Sequence, residues 1–149
     1  MIRLAEEKDT QSIVELGKEM IEEGRYSYVT YSPEKVKEFV RRYINSPNKL
    51  LLVSEIKGRI CGFFFGFIAP FNFSNDLFAS EELWYMQKES RGKRDGVVMI
   101  KQFIEWSKRC KAVEVNLTIT LCVANEIASK VAKGCGFVPE GEVHKMRLV

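Results

Sequence analysis

The amino-acid sequence predicts an α/β protein in which one mixed β-sheet is flanked by helices, in a single domain spanning residues 1–149. The length and an apolar content of 46% suit one compact core, and no repeat, low-complexity segment or linker divides the chain. Segments with strand and helix periodicity follow one another in the order β-α-α-β-β-β-α-β-α-β. Because hairpins join some strands and crossover helices join others, the sheet should contain antiparallel and parallel pairs.

The N-terminal part of the chain predicts a short strand, a helix and a loop. Residues 1–4 have a strand-like pattern. Asp9 or Thr10 can cap the first helix, and Gly24 ends it. An aromatic, polar loop follows at residues 26–32. The apolar side chains of the helix recur with a helical period at Ile13, Leu16 and Met20.

A second helix and a hairpin come next. Pro33 lies in the first turn of this helix, where its missing N–H costs little, and residues 45–48 end it. Residues 50–56 and 60–68 have the aliphatic and aromatic composition of strands. The turn between them is Lys57-Gly58, so the pair reads as a hairpin.

The second half of the chain predicts three strands and two helices. Residues 81–87 form a strand that runs into a helix at 97–109 through a basic loop. Residues 113–120 alternate as a strand, and residues 125–133 form a helix that Gly134 and Gly136 close. Residues 142–148 are expected to be the last strand.

Composition argues against several functional classes. The net charge of +3 is too small to imply a nucleic-acid partner by itself. The four cysteines have no CxxC spacing and there is one histidine, so no metal site is predicted. The longest apolar stretch, residues 60–73, is interrupted by glycine, proline and asparagine, which argues against a membrane-spanning helix. The N-terminus becomes acidic too early for a signal peptide, and we therefore expect a cytoplasmic protein.

The segment from Trp84 to Val98 is the part of the sequence that indicates chemistry. A strand enters a basic loop containing Gly92, and a helix follows directly. Backbone N–H groups in the first turn of a helix have no internal partner, and the helix dipole favours negative charge there. Glycine lets the main chain approach a phosphate closely. The segment therefore predicts an anion site, although a solvated basic turn is an alternative explanation for it.

This segment resembles the acyl-CoA-binding motif Q/R-x-x-G-x-G/A of the GNAT N-acetyltransferases, with Arg91 first and Gly96 last. Arg94 stands where the motif usually has its first glycine. The form R-G-x-R is similar to a variant subgroup found in phages and bacteria. The chain also resembles the family in its opening strand and helix, and in the sequence Asn125-Glu126-Ile127-Ala128 followed by Gly136-Phe137.

The resemblance implies the GNAT fold, with a mixed sheet splayed between its fourth and fifth strands, and transfer of an acetyl group from acetyl-CoA to an amine. Main-chain amides of the loop would hold the pyrophosphate, and the pantetheine arm would lie along the end of the fourth strand. The resemblance assigns these positions to acetyl-CoA binding: Met86, Gln87, Lys88, Arg91, Gly92, Lys93, Arg94, Asp95, Gly96, Val97, Asn125 and Ser129.

Three further positions concern the chemistry. The amide of Met86 is the expected donor to the thioester oxygen as that oxygen gains negative charge. Glu81 and Glu82 are the candidate bases. Strand alternation puts Glu82 on the face of Trp84 and Met86 and Glu81 on the opposite face, which slightly favours Glu82. Ala132 occupies the position at which many family members have a tyrosine that acts as general acid.

The sequence leaves open the identity of the amine acceptor and two alternatives to an active enzyme. Tyr26, Tyr28 and Tyr31 lie in the loop that usually helps form the acceptor site, and they could line that site or anchor the loop. A degenerate domain that binds acyl-CoA or a protein without catalysis is the second hypothesis, and nucleic-acid binding by residues 88–94 is the third. The aromatic run at residues 63–67 predicts either burial on both faces of the sheet or contact within a homodimer.

Overall fold

A computed structural model describes all 149 residues. Short 3-10 turns occupy Glu7–Asp9 and Lys88–Ser90. The sheet has the strand order β1-β2-β3-β4-β5; the first three pairs are antiparallel and β4 pairs with β5 in parallel. The mixed sheet flanked by helices agrees with the prediction. Its elements are β1 (Ile2–Leu4), α1 (Thr10–Glu23), α2 (Pro33–Ile44), β2 (Lys49–Ile56), β3 (Arg59–Pro70), β4 (Leu77–Met86), α3 (Arg94–Arg109), β5 (Ala112–Asn116) and α4 (Asn125–Gly134).

The first two helices begin and end close to the predicted positions. Ser32 caps α2, because its hydroxyl accepts a hydrogen bond from the Lys35 N–H at 3.4 Å. Asp9 precedes α1 but does not cap it. Its carboxylate is instead nearly buried and accepts two hydrogen bonds from the Arg3 guanidinium, at 2.7 and 2.9 Å. Asp9 therefore ties β1 to the start of α1.

Both faces of the sheet are buried. Helices α1 and α2 cover one face, on which Phe63 and Phe65 pack with Tyr43. Helix α3 covers the other face, on which Phe64 packs against Phe103 at a ring-centroid distance of 4.8 Å. Of the two predictions made from the aromatic run, burial on both faces is the one observed.

Strands β4 and β5 separate halfway along β4. Their pairing runs from Leu77–Ala112 to Ser80–Asn116. Strand β4 continues to Met86 and stays paired with β3, whereas β5 ends at Asn116. The second half of β4 therefore has a free edge on the side of α4, and this is the predicted splay.

The prediction of a last strand at residues 142–148 is wrong, and β5 is shorter than predicted. Residues 138–149 form no regular element and are exposed. A strand needs a partner edge as well as strand-forming residues. This segment contacts the loop after α1 instead, where the Lys145 ammonium donates a hydrogen bond of 2.6 Å to the Tyr26 hydroxyl. None of the helices combines the length and the apolar character needed to cross a membrane.

Candidate active site

The turn before α3 has the geometry of an anion cradle. Gly92 has a φ of +68°, in the left-handed region that favours glycine, and nothing lies within 4 Å of the position a Cβ would take. Lys93 is at the N-cap of α3 and no side chain caps that end, so main-chain donors of the first turn stay free. Lys88, Lys93 and Arg94 are exposed and form no ion pair. The cradle is therefore electropositive.

Gly96 and Trp84 form the floor of this cradle. Gly96 is buried in the first turn of α3, and a Cβ there would lie 3.3 Å from Cζ2 of Trp84. The indole Nε1 of Trp84 is buried without a hydrogen-bond partner, which is otherwise rare in proteins. A glycine at position 96 therefore lets α3 pack closely against the Trp84 ring, whose N–H donor has no partner in the protein.

Arg91 shapes the loop and does not project into the cradle. Its guanidinium donates to both carboxylate oxygens of Glu23, at 2.5 and 2.6 Å, and its Nε donates to the Met86 carbonyl at 2.8 Å. The pair lowers the pKa of Glu23 and raises that of Arg91. The Tyr85 hydroxyl also donates to Glu23, at 3.0 Å. Arg91 thus fastens the loop to the end of β4 and to α1.

Asp95 is also turned away from the cradle. The fully buried Ser54 hydroxyl of β2 donates to the Asp95 carboxylate at 2.6 Å. This contact keeps a negative charge from facing the place where an anion would bind. The cradle therefore presents main-chain donors and exposed cations, and the Asp95 carboxylate is held by the sheet.

The amide of Met86 points to the splay. The Gln87 N–H donates to the Cys61 carbonyl of β3 at 2.8 Å. Backbone groups of neighbouring strand residues point to opposite sides, so the Met86 N–H points away from β3. The hydrogen bond from Arg91 to the Met86 carbonyl agrees with this orientation. The Gln87 amide is occupied, and the Gln87 side chain donates to Glu19 at 3.0 Å.

A narrow groove connects the cradle with the splay. The residues of α4 that face it are small or apolar, and sequence reasoning missed them because they carry no polar group. Asn125 and Ser129, which were predicted to contact the cofactor, do not line it. Asn125 does not cap α4 either, because Ala124 stands at the N-cap with a φ of 49°. The lining residues are Trp84, Tyr85, Met86, Ser90, Arg91, Gly92, Lys93, Gly96, Val123, Ala124, Ile127, Ala128 and Val131.

A larger open depression, of about 740 Å³, lies elsewhere, between α2, β2 and α3. Its lining includes Lys49, Lys101 and Trp106, and none of the residues of the cradle or the splay. The narrow groove, which contains the unused donors, is the better candidate for chemistry.

Glu81 is a buried carboxyl group at the point where β4 and β5 separate. The side chain lies among buried residues, and its Oε2 accepts a hydrogen bond from the Thr118 N–H at 3.1 Å. Burial raises the pKa of Glu81 to about 7; the Thr118 N–H acts against this shift and the charge of Glu82 adds to it. A group that titrates near neutral pH can both accept and release a proton there.

Glu82 lies in a different environment. The Tyr43 hydroxyl of α2 donates a short hydrogen bond to Glu82 Oε2, and burial raises the pKa of that hydroxyl. Tyr43 packs in the same cluster as Tyr85, so Glu82 faces the side of Tyr85 and not that of Trp84 and Met86.

The alternation predicted for β4 is therefore wrong at Glu82. The register of β4 against β3 steps from Phe65–Leu83 to Gly66–Glu81, which leaves Glu82 as the extra residue of a β-bulge. A bulge interrupts the two-residue period of a strand. No pattern in the sequence marks it except Gly66, a residue that often accompanies such irregularities.

The loop after α1 carries the three tyrosines singled out in the sequence. The Tyr31 hydroxyl donates to the Val14 carbonyl at 2.6 Å, so Tyr31 anchors the loop to α1. Tyr26 and Tyr28 are on the outer side and contact the C-terminal segment. Ala132 is buried and offers no hydroxyl to the groove.

Comparison with known proteins gives matches of structure and not of sequence. No family model and no curated protein matches the sequence. The chain superposes over 99% of its length on a transcriptional regulator from Bacillus halodurans, with a TM-score of 0.80, 20% identity and 99% of that chain covered.

Two solved acetyltransferases are similar over nearly the full length of both chains. Glucosamine-6-phosphate N-acetyltransferase from Arabidopsis thaliana matches with a TM-score of 0.76 and 17% identity, over 100% of this chain and 98% of that one. A predicted acetyltransferase from Clostridium acetobutylicum, solved with acetyl-CoA, matches with a TM-score of 0.74 and 16% identity, over 99% and 96%.

These matches agree with the mixed sheet flanked by helices. The R-G-x-R subgroup stays a prediction, because the superpositions do not distinguish subgroups. The chain has the fold of the GNAT N-acetyltransferases.

Proposed function

We propose that the protein is an acetyl-CoA-dependent N-acetyltransferase. The observation that carries the proposal is the alignment, along one edge of β4, of three groups that this reaction needs. The anion cradle at Gly92–Gly96 suits a pyrophosphate, the Met86 N–H is free at the splay, and Glu81 has a pKa of about 7 in the same region. Neighbours of this fold that were solved as acetyltransferases support the assignment.

The residues present fit acetyl-CoA. Main-chain N–H groups of residues 92–97 would bind the pyrophosphate, and the exposed Lys88, Lys93 and Arg94 would add attraction. The pantetheine arm would lie along the free edge of β4 towards Met86. The small and apolar residues of α4 border a groove beside that edge.

In the chemical step, the Glu81 carboxylate would take a proton from the ammonium form of the acceptor, directly or through water. The amine nitrogen then attacks the thioester carbon. The Met86 N–H would stabilise the negative charge that develops on the carbonyl oxygen. The carbon–sulfur bond breaks, the amide product keeps the acetyl group, and coenzyme A leaves as a thiolate that takes its proton from solvent.

The leaving thiolate has no visible acid. Ala132 is buried and apolar where a phenol would be expected to protonate the sulfur. A positioned acid typically contributes about 10²–10⁴-fold, so its absence lowers the rate of the reaction without removing the other contributions. Ala132 is the observation that favours the second hypothesis, a domain that binds acyl-CoA without turnover.

The first experiment is calorimetric titration of the protein with acetyl-CoA. The variant Gly96→Trp fills the cradle, and Gly134→Trp is the matched control, because nothing lies within 4 Å of a Cβ at the end of α4. We expect binding by the wild type and the control, and none by Gly96→Trp. Absence of wild-type binding would refute the proposal, provided that thermal melts show a folded protein.

Turnover is then measured as thiol release with a panel of primary amines. Release that depends on the amine and falls in Glu81→Gln supports the enzyme. Binding of acetyl-CoA without release for any amine of the panel supports the non-catalytic hypothesis instead.

A further inference from the structure

Three cationic side chains surround two tyrosines beside the splay. Arg25 lies over the ring of Tyr26, 5.6 Å from the ring centroid, and the Lys145 ammonium lies 5.1 Å from the same centroid. Arg147 lies over the ring of Tyr28 at 4.0 Å. The two rings are themselves 6.4 Å apart. We call these five residues the cation–tyrosine cluster.

The cations of this cluster have no acidic partner. Neither Arg25, Lys145 nor Arg147 forms an ion pair. Two carboxylates close to these cations in the sequence have other partners, because Glu23 binds Arg91 and Glu142 contacts His144 at 2.9 Å.

Contact with the tyrosine rings holds these cations in place. Such contact restricts long side chains that would otherwise move freely in water. The cluster is thus a positively charged surface whose cations contact aromatic rings and have no ion-pair partner.

The backbone at the base of the cluster is bonded to the segment that also binds Glu81. The Arg25 N–H donates to the Leu121 carbonyl at 3.0 Å, and the Thr118 N–H donates to Glu81 at 3.1 Å. Thr118 and Leu121 are three residues apart in one segment after β5. The four residues 118–121 span at most about 14 Å when extended, and the two hydrogen bonds add 3.0 and 3.1 Å, so the Arg25 N–H lies within about 20 Å of the Glu81 carboxylate.

We propose that the cation–tyrosine cluster binds an anionic group, a carboxylate or a phosphate, carried by the amine acceptor. The proposal rests on the proposed function and names the class of its acceptor. Arg25, Lys145 and Arg147 attract the anion, and the Tyr28 hydroxyl can donate a further hydrogen bond. The same charges repel polyamines and other acceptors with several cations, which are thereby excluded.

The test compares pairs of small amines that differ in one anionic group. Phosphoethanolamine is paired with ethanolamine for the phosphate, and β-alanine with β-alaninamide for the carboxylate. Binding of each probe is measured by calorimetry with coenzyme A present, on the wild type, Lys145→Gln/Arg147→Gln and the control Lys35→Gln/Arg109→Gln. Both control residues are exposed and form no ion pair, and the control removes the same charges at distant sites.

For at least one pair, we expect the wild type and the control to bind the anionic probe on the order of tenfold more tightly than its neutral partner. Two partly exposed ion pairs contribute a difference in binding free energy of this size. In Lys145→Gln/Arg147→Gln the preference should fall to within about twofold. The pair that shows the preference tells whether the anion is a phosphate or a carboxylate.

The proposal is overturned if neither pair shows a preference in the wild type, including the case in which no probe binds. It is equally overturned if the preference survives in the double variant. These outcomes differ from a failure of the proposed function, which would appear as absent acetyl-CoA binding in the titration described above. The probes are also titrated without coenzyme A, so that the preference for an anion can be measured even if the protein does not bind acetyl-CoA.

Discussion

Replacing Glu81 by glutamine should change the stability of the protein in a way that depends on pH. Glu81 has a pKa of about 7 in the folded protein, raised by burial from an ordinary value of 4.5. Between these two values the folded state holds a proton that the unfolded chain has released. Stability therefore falls as pH rises from about 4.5 to 7, and is constant above that range.

The size of the effect follows from the two pKa values. At about 1.4 kcal/mol for each pH unit between them, ionisation of Glu81 costs the folded state about 3 kcal/mol above pH 7. Glutamine is neutral at every pH and its carbonyl can still accept the hydrogen bond from the Thr118 N–H. We expect Glu81→Gln to gain about 3 kcal/mol over the wild type at pH 8, relative to the difference at pH 4.5.

The assay is urea unfolding followed by tryptophan fluorescence, for both proteins, at half-unit steps from pH 4.5 to 8.5. Glu140→Gln is the control, because Glu140 is exposed and forms no ion pair, and its difference from the wild type should stay near zero throughout. A difference between Glu81→Gln and the wild type that does not vary with pH would refute the reasoning.

The same substitution links stability to function. If Glu81 is the base, kcat/KM of the wild type should rise with pH through about 7, and Glu81→Gln should lower it on the order of 10²–10⁴-fold. The variant would then be more stable at pH 8 and less active, as expected where a site keeps a costly buried group for chemistry. A pH profile unchanged in Glu81→Gln would remove Glu81 as the base.

Three further changes test the cradle. Arg91→Met removes the three hydrogen bonds that Arg91 donates to Glu23 and to the Met86 carbonyl. We expect it to lower the free energy of unfolding by about 2 kcal/mol in urea melts and to weaken acetyl-CoA binding in calorimetry. Ser54→Ala leaves Asp95 without its buried donor and should weaken acetyl-CoA binding several-fold, and unchanged affinity would mean that the carboxylate does not reach the phosphate. Trp84→Phe removes an N–H that has no partner, so stability should stay within about 1 kcal/mol; a clear loss of acetyl-CoA affinity would indicate that the ligand uses this donor.

The sequence predicted the elements whose signals are local. Ser32-Pro33 starts α2 and Gly24 follows α1 because caps and prolines act within one turn. The basic turn at residues 91–96 was found because a glycine next to a helix start is visible as a pattern. The order of the elements then gave the mixed sheet, apart from the last strand.

The features that the sequence could not predict depend on contacts between distant segments. The bulge at Glu82 follows from pairing with β3, so it reversed the predicted face of a candidate base. Arg91 matches the motif, and its side chain binds Glu23, 68 residues away, a contact that no local pattern indicates. The apolar residues of α4 line the groove, whereas its polar residues Asn125 and Ser129, which looked functional, do not.

The bulge in β4 has a consequence for protein engineering. In a regular strand, a shift of the pairing register by one residue would exchange the positions of two adjacent acidic residues. Here the bulge gives each carboxylate its own partner, the Thr118 N–H for Glu81 and the Tyr43 hydroxyl for Glu82. Grafting Glu81 and Glu82 onto another scaffold would therefore not reproduce their separate environments unless the β-bulge opposite Gly66 were grafted as well. Deleting Glu82 would restore a regular strand with Leu83 opposite Phe65 and Glu81 opposite Gly66, so it should keep Glu81 in its buried site and remove the carboxylate that binds Tyr43.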